Sequence, residues 1–171
     1  GNYNFKTTED ASISLRPELK IKQYPSNING LYLLQFICPP LPEWLSLLNA
    51  YGVQNIEYFN TNTRLVLMNS DLENIIQNIW FVQWVGIIQP AYKFLQPIEY
   101  GVMSCNIICE KVDFPSVLME INNLGHVAKV ISDENTNTYS VRVIITCYED
   151  FIKLLHLPSV LHVSFPNMDM D

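Results

Sequence analysis

Along the chain, apolar residues gather in short runs whose spacing alternates between that of a strand and that of a helix. Residues 1–28 are mostly polar, and Pro17 and Pro25 interrupt any period, so this stretch reads as an extended arm or linker. From Gly30 the pattern changes. Residues 31–37 form a dense apolar run rich in strand formers, closed by Pro39 and Pro40. Pro42 then favours the first turn of a helix, with Trp44, Leu45, Leu47 and Leu48 on one face and Gly52 as its stop. Residues 53–59 and 64–68 read as two strands about the turn Asn60-Thr61-Asn62-Thr63. Asn69 or Ser70 caps a helix over 71–79, and 81–88 is a fourth strand ended by Pro90.

The same order then recurs. Met103–Glu110 reads as a strand and 113–124 as a helix with Pro115 near its start and Gly125 at its end. Residues 127–132 and 139–145 are strands about a second Asn-Thr-Asn-Thr turn at 135–138. A helix over Tyr148–His156 and a strand over 160–165 follow. Pro42 matches Pro115, Gly52 matches Gly125, and the two turns match each other at an offset of about 75 residues. Ordered landmarks inside one six-element pattern point to duplication. The expected division is an arm at 1–28, a first domain at 29–97 and a second at 98–171.

A β-α-β-β-α-β order is the ferredoxin-like unit. Right-handed crossovers put both helices on one face of a four-stranded antiparallel sheet, so the expected class is α+β, with two such units in tandem. The other face of each sheet is then left free. Tyr58, Val85 and Ile87 are expected on that face in the first unit, as candidates for contact with another surface. The same topology puts Cys105 and Cys147 at one end of a sheet, which makes a Cys105–Cys147 disulfide conceivable. Buried free thiols are the default.

Composition narrows the function. Hydrophobic residues make up 49% of the 171, enough for packed cores and too many for a disordered chain. A net charge of −7 argues against nucleic acid and against an anionic membrane, both of which select clustered Lys and Arg. The longest apolar runs fall far short of the ~20 residues that span a bilayer. Cys38, Cys105, Cys109 and Cys147 form no CxxC pair and have no histidine at zinc-ligand spacing, so no metal and no cofactor is expected.

Catalysis also lacks a basis. Nucleophilic chemistry needs an activated Ser or Cys, a base and a group that orients the base. His126 follows a helix stop, His156 ends a helix and His162 stands in a strand where the first copy has Trp84. These placements read as structural, as do the carboxylate pairs Asp133-Glu134 and Glu149-Asp150 at turns and helix starts. No Gly-x-Ser-x-Gly elbow and no glycine-rich phosphate loop is present, so the chain is not expected to be an enzyme.

One further pattern covers residues 14–94. It comprises Ser14-Leu15-Arg16-Pro17-Glu18-Leu19, Gly30-Leu31-Tyr32-Leu33-Leu34-Gln35-Phe36, Pro42-Glu43-Trp44 and residues 60–68. Phe81-Val82-Gln83-Trp84-Val85-Gly86 and Gln89-Pro90-Ala91-Tyr92-Lys93 complete it. This ordered set resembles the N-terminal, propeptide-like region of subtilisin-like serine peptidases. The second copy fits more loosely, with His162-Val163-Ser164 where the first has Trp84-Val85-Gly86.

The resemblance implies a ferredoxin-like prodomain whose sheet packs on the catalytic domain of its own precursor, downstream of Asp171. The chain after a last strand would then enter the substrate cleft as an inhibitor. The segments implied are Gly86 to Tyr92, including Gln89, and Ser164, Phe165, Pro166, Asn167 and Met168 onward. The resemblance also implies the secretory pathway, on the extracellular or lumenal side. A regulatory or scaffold module of the same fold is the alternative, but its ligand loops would be Gly-rich, and those at 38–42 and 110–115 are Pro-rich or charged.

Overall fold

The computed structural model describes residues 15–94, 103–132 and 137–166. Strand formers at 29–36 make β1 (Asn29–Phe36), and Pro39-Pro40 ends it before α1 (Pro42–Ala50), which carries Pro42 in its first turn. Gly52 follows α1 with φ +90°, which lets Val53 N–H reach back to Leu48 O at 3.0 Å and closes the helix. β2 (Gln54–Asn60) and β3 (Thr63–Asn69) form the hairpin. A 3-10 turn (Ser70–Leu72), α2 (Glu73–Gln77) and β4 (Val82–Ile87) complete the unit. The α-helical part of α2 is shorter than its apolar period predicts. At its end Asn78 Nδ2 donates to Asn74 O, and tightened backbone bonds close the last turn.

The second copy repeats the plan: β5 (Met103–Glu110), α3 (Phe114–Asn123), β6 (Ala128–Ser132), β7 (Thr138–Ile145), α4 (Tyr148–His156) and β8 (Val160–Ser164). Gly125, at φ +78°, repeats the role of Gly52, with His126 N–H bonded to Ile121 O at 3.1 Å. Lys111 N–H bonds Asn137 O as Phe36 N–H bonds Asn62 O. The sheets have orders β2-β3-β1-β4 and β6-β7-β5-β8, antiparallel throughout. The chain is α+β, two ferredoxin-like units in tandem.

Each unit has its own core between sheet and helices. In the first, Tyr32, Leu34 and Phe36 meet Leu48, Ile76 and Phe81, and Trp44 stacks on Phe81 with ring centroids 4.7 Å apart. In the second, Met103, Cys105, Ile107 and Cys109 alternate along β5 into a cluster with Val117, Ile121, Phe151, Leu154 and Leu155. Each such side chain contributes about 1.5–3 kcal/mol when fully buried.

The arm is divided between the two units. Residues 21–28 belong to the first. There Ser70 Oγ donates to Pro25 O and Ser26 Oγ to Asp71 Oδ1, both at 2.7 Å. Residues 15–20 belong to the second, where a 3-10 turn (Pro17–Leu19) puts Leu19 into the core and Glu18 O against His156 Nε2 at 2.8 Å. Residues 89–94 also belong to the second unit: Phe94 forms a parallel bridge with Val163 and meets Phe151 edge-on.

Tyr24 lies over Gly30, where an added Cβ would come within 2.2 Å of the ring. Gly30→Ala is therefore expected to destabilise the fold by about 1–3 kcal/mol in urea unfolding. Combined with Tyr24→Ala it should cost less than the sum of the single changes. Strict additivity would contradict the contact.

Candidate functional site

Residues opposite one another in an antiparallel sheet share a face. Leu34 pairs with Val85, and Tyr32 with Ile87, so Val85 and Ile87 lie with Tyr32 and Leu34 on the helix side. Val85 is buried in that core and Ile87 packs against it. This corrects their expected place on the free face: the alternation along β4 runs one residue out of phase with the sequence reading. Trp84 and Gly86 take the opposite face instead, the Trp84 ring lying over Gly86. Tyr58 pairs with Arg64, itself opposite Leu34, so like Val85 it lies on the helix side rather than the free face, exposed on the edge strand β2 with the Arg64 guanidinium 4.5 Å above its ring.

The segment after β4 is tied down. Gln89 and Pro90 are buried, Tyr92 is half-buried, and Lys93 is 1% exposed with Nζ donating to Leu157 O at 2.6 Å. Leu157 caps the C-terminal end of α4, where the helix dipole favours a cation. Burial works against that charge and pulls the lysine down from 10.5 to about 7. At the other tail, Ser164 pairs with Asn106, Phe165 packs on Phe151 and Pro166 is half-buried. Asn167 and Met168 lie outside the described residues.

The cysteines are free thiols. Cys105 pairs with Val143, while Cys147 stands four residues further along the chain, beyond the end of β7. At ~3.3 Å per residue of extended chain that is about 13 Å, well past the Cα separation a disulfide tolerates. The Cys105–Cys147 bridge is therefore not formed: sharing one end of a sheet does not bring two residues opposite each other. Burial pushes the Cys105 thiol up to about 12. Burial and then the Asp113 charge push Cys109 up to about 11. Cys147 Sγ donates to Glu149 Oε2 at 2.6 Å, which holds that carboxyl below its usual range.

His126 is buried with Nε2 3.2 Å from Asp150 Oδ2, and Lys153 binds the other oxygen of the same carboxylate at 2.8 Å. These contacts pin the turn at Gly125 to the start of α4. Among the described residues no group of three or more His, Cys, Asp or Glu is placed to hold a metal, and no helix is long and apolar enough to cross a membrane.

A family model described as a domain of unknown function, DUF8729, matches residues 2–89. The chain belongs to this family. The DUF8729 match takes in the arm and the first β-α-β-β-α-β run and stops at Gln89, so the second such run, β5 to β8, lies beyond it. No curated protein matches the chain.

Sequence reasoning did not mark Lys93 as buried or Leu19 as a core residue of the second unit. A lone lysine in a Pro-bounded linker carries no periodic signal, and Leu19 lies far along the chain from its partners.

Two predictions follow from these groups. In the native chain a thiol reagent should modify Cys38 and Cys147, with Cys105 and Cys109 reacting after unfolding, as mass spectrometry would read. Fast labelling of Cys105 would contradict its burial.

The folded chain holds the Lys93 proton more weakly than the unfolded one, so its contribution to stability rises with pH. The rise starts near 7, at up to about 1.4 kcal/mol per unit, and is flat below that value, where both states are protonated. Above pH 9 the raised thiols act in the opposite sense. Urea unfolding between about pH 6 and 8.5 should show the rise in the wild type and lose it in Lys93→Met.

Proposed function

We propose that the chain is a non-catalytic, prodomain-like N-terminal region of a subtilisin-like serine peptidase precursor, a folding aid, inhibitor or packing module for the catalytic domain. The observation that carries this reading is the ordered motif set across residues 14–94, several of whose members fall at defining places of the first ferredoxin-like unit. Gly30 lies beneath Tyr24, Pro42 opens α1, Trp44 stacks on Phe81, and Gly86 lies beneath Trp84. The proposed setting is the secretory pathway, and the proposed partner is the catalytic domain of the same precursor.

The reading divides the two candidate cleft segments. Residues 89–93 are held by the second unit, with Lys93 buried, so they serve to fasten the linker. The inhibitory strand is then the chain that follows the last ladder pair, Ser164 with Asn106. An extended segment gains affinity by pairing its backbone with a strand edge of the enzyme.

The test titrates the purified chain against the catalytic domain of its precursor. One assay follows peptide hydrolysis, and a second follows refolding of the denatured catalytic domain. The expected result is saturable inhibition or faster refolding, with inhibition lost and refolding kept when the chain is truncated after Phe165. A chain that neither inhibits nor changes refolding refutes the proposal.

A further inference from the structure

A lysine is almost never buried whole, because its ammonium is costly to take out of water unless it is paired. Lys93 is 1% exposed, and its Nζ donates to Leu157 O at 2.6 Å. Among the described residues no carboxylate forms an ion pair with it. The elements packed on residues 90–93 are α4 and β8, which carry Tyr148, Glu149, Asp150, Lys153, His156 and His162. Asp150 is held by His126 and Lys153, Glu149 accepts from the Cys147 thiol, and His156 Nε2 meets Glu18 O at the same helix end. His162 pairs with Ile108 and so faces away from the core that Ile107 and Val163 enter. None of these groups offsets the burial of Lys93, which is the one cause that moves its amine.

The stretch that carries Lys93 is a 3-10 turn (Pro90–Lys93), with Tyr92 N–H on Gln89 O at 2.9 Å, followed by Phe94. Phe94 forms an isolated parallel bridge with Val163 on the outer edge of β8 and meets Phe151 edge-on, and Phe165 packs on that same Phe151 ring. A stretch joined to a sheet by a bridge rather than a ladder can leave while the sheet stays closed. A buried lysine without a counter-charge then has a route to water short of global unfolding.

We propose that residues 89–94 are a proton-gated strap: when Lys93 takes up a proton the strap leaves α4 and β8, baring the Phe151 ring and the outer edge of β8. The direction of the gate follows from where the proton is held more tightly. In the closed strap Lys93 ionises at about 7, against 10.5 in water. Opening is therefore favoured as pH falls below 10.5, by up to about tenfold per unit, and levels off below about 7, where both forms are charged.

The test is amide hydrogen exchange on the full chain between about pH 6.5 and 9, corrected for the intrinsic rate at each pH and repeated in low urea. The Tyr92 N–H reports the strap, and the amides of β5 report global unfolding. In the wild type, opening read at Tyr92 should rise about tenfold per unit from about pH 9 to 7.5 and flatten near 7. It should ignore urea concentrations that speed exchange along β5. Lys93→Met should open less and show no pH dependence over this range. Lys93→Arg, charged throughout, should open more than the wild type at about pH 9 and also lose the slope.

A wild-type slope that persists in Lys93→Met would overturn the gate. Exchange of Tyr92 in step with β5, with the same urea dependence, would overturn the strap, since it would then open with the whole fold. An arginine variant as closed as the methionine one would overturn the charge as the cause of release.

Discussion

Pairing of a central strand on both its edges is the constraint from which the rest of this molecule follows. β1 lies between β3 and β4, and β5 between β7 and β8, so the registers of these two strands decide which side chains face the helices. A shift of one residue sends a whole set to the other side. Along β5 the result is a regular alternation of buried and half-buried positions, and the core of the second unit grows from the buried set. Along β1 nearly every residue is buried, so that strand is shut from solvent on both sides while β5 is shut on one. Two segments of like element order have thus produced one backbone plan with two different surfaces.

The plan itself was legible in the chain. Pro42, Gly52, Pro115 and Gly125 mark helix ends because each acts through its own backbone geometry, which neighbours elsewhere in the sequence do not alter. Face assignment was less secure, because parity depends on where a bulge falls. β1 shifts register against β4 between Gln35 and Phe36, and Val85 and Ile87 lie in the core rather than on the open side. The Cys105–Cys147 pairing failed for a related reason: topology brings strand ends together, and register decides which residues meet.

Side chains whose role depends on distant partners were invisible. Lys93 is buried through a carbonyl 64 residues away, and its neighbours in the chain give no hint of it. Conversely, Trp84 and Gly86 were noticed as a motif without a mechanism, and the ring lying over the glycine supplies one. A motif that resembles another family can therefore be held by packing alone, which is why the functional reading rests on the whole ordered set.

The turn at Pro17–Leu19 stands ahead of the first unit in the chain and packs with the second. Both flanks of residues 21–88 thus belong to the same body, and the first unit is in topological terms an insertion in it. During synthesis Glu18 leaves the ribosome 138 residues ahead of its partner His156. Residues 21–88 can close on their own contacts before the partners of Leu19 and Glu18 have been made, so the inserted unit can assemble ahead of the body that flanks it.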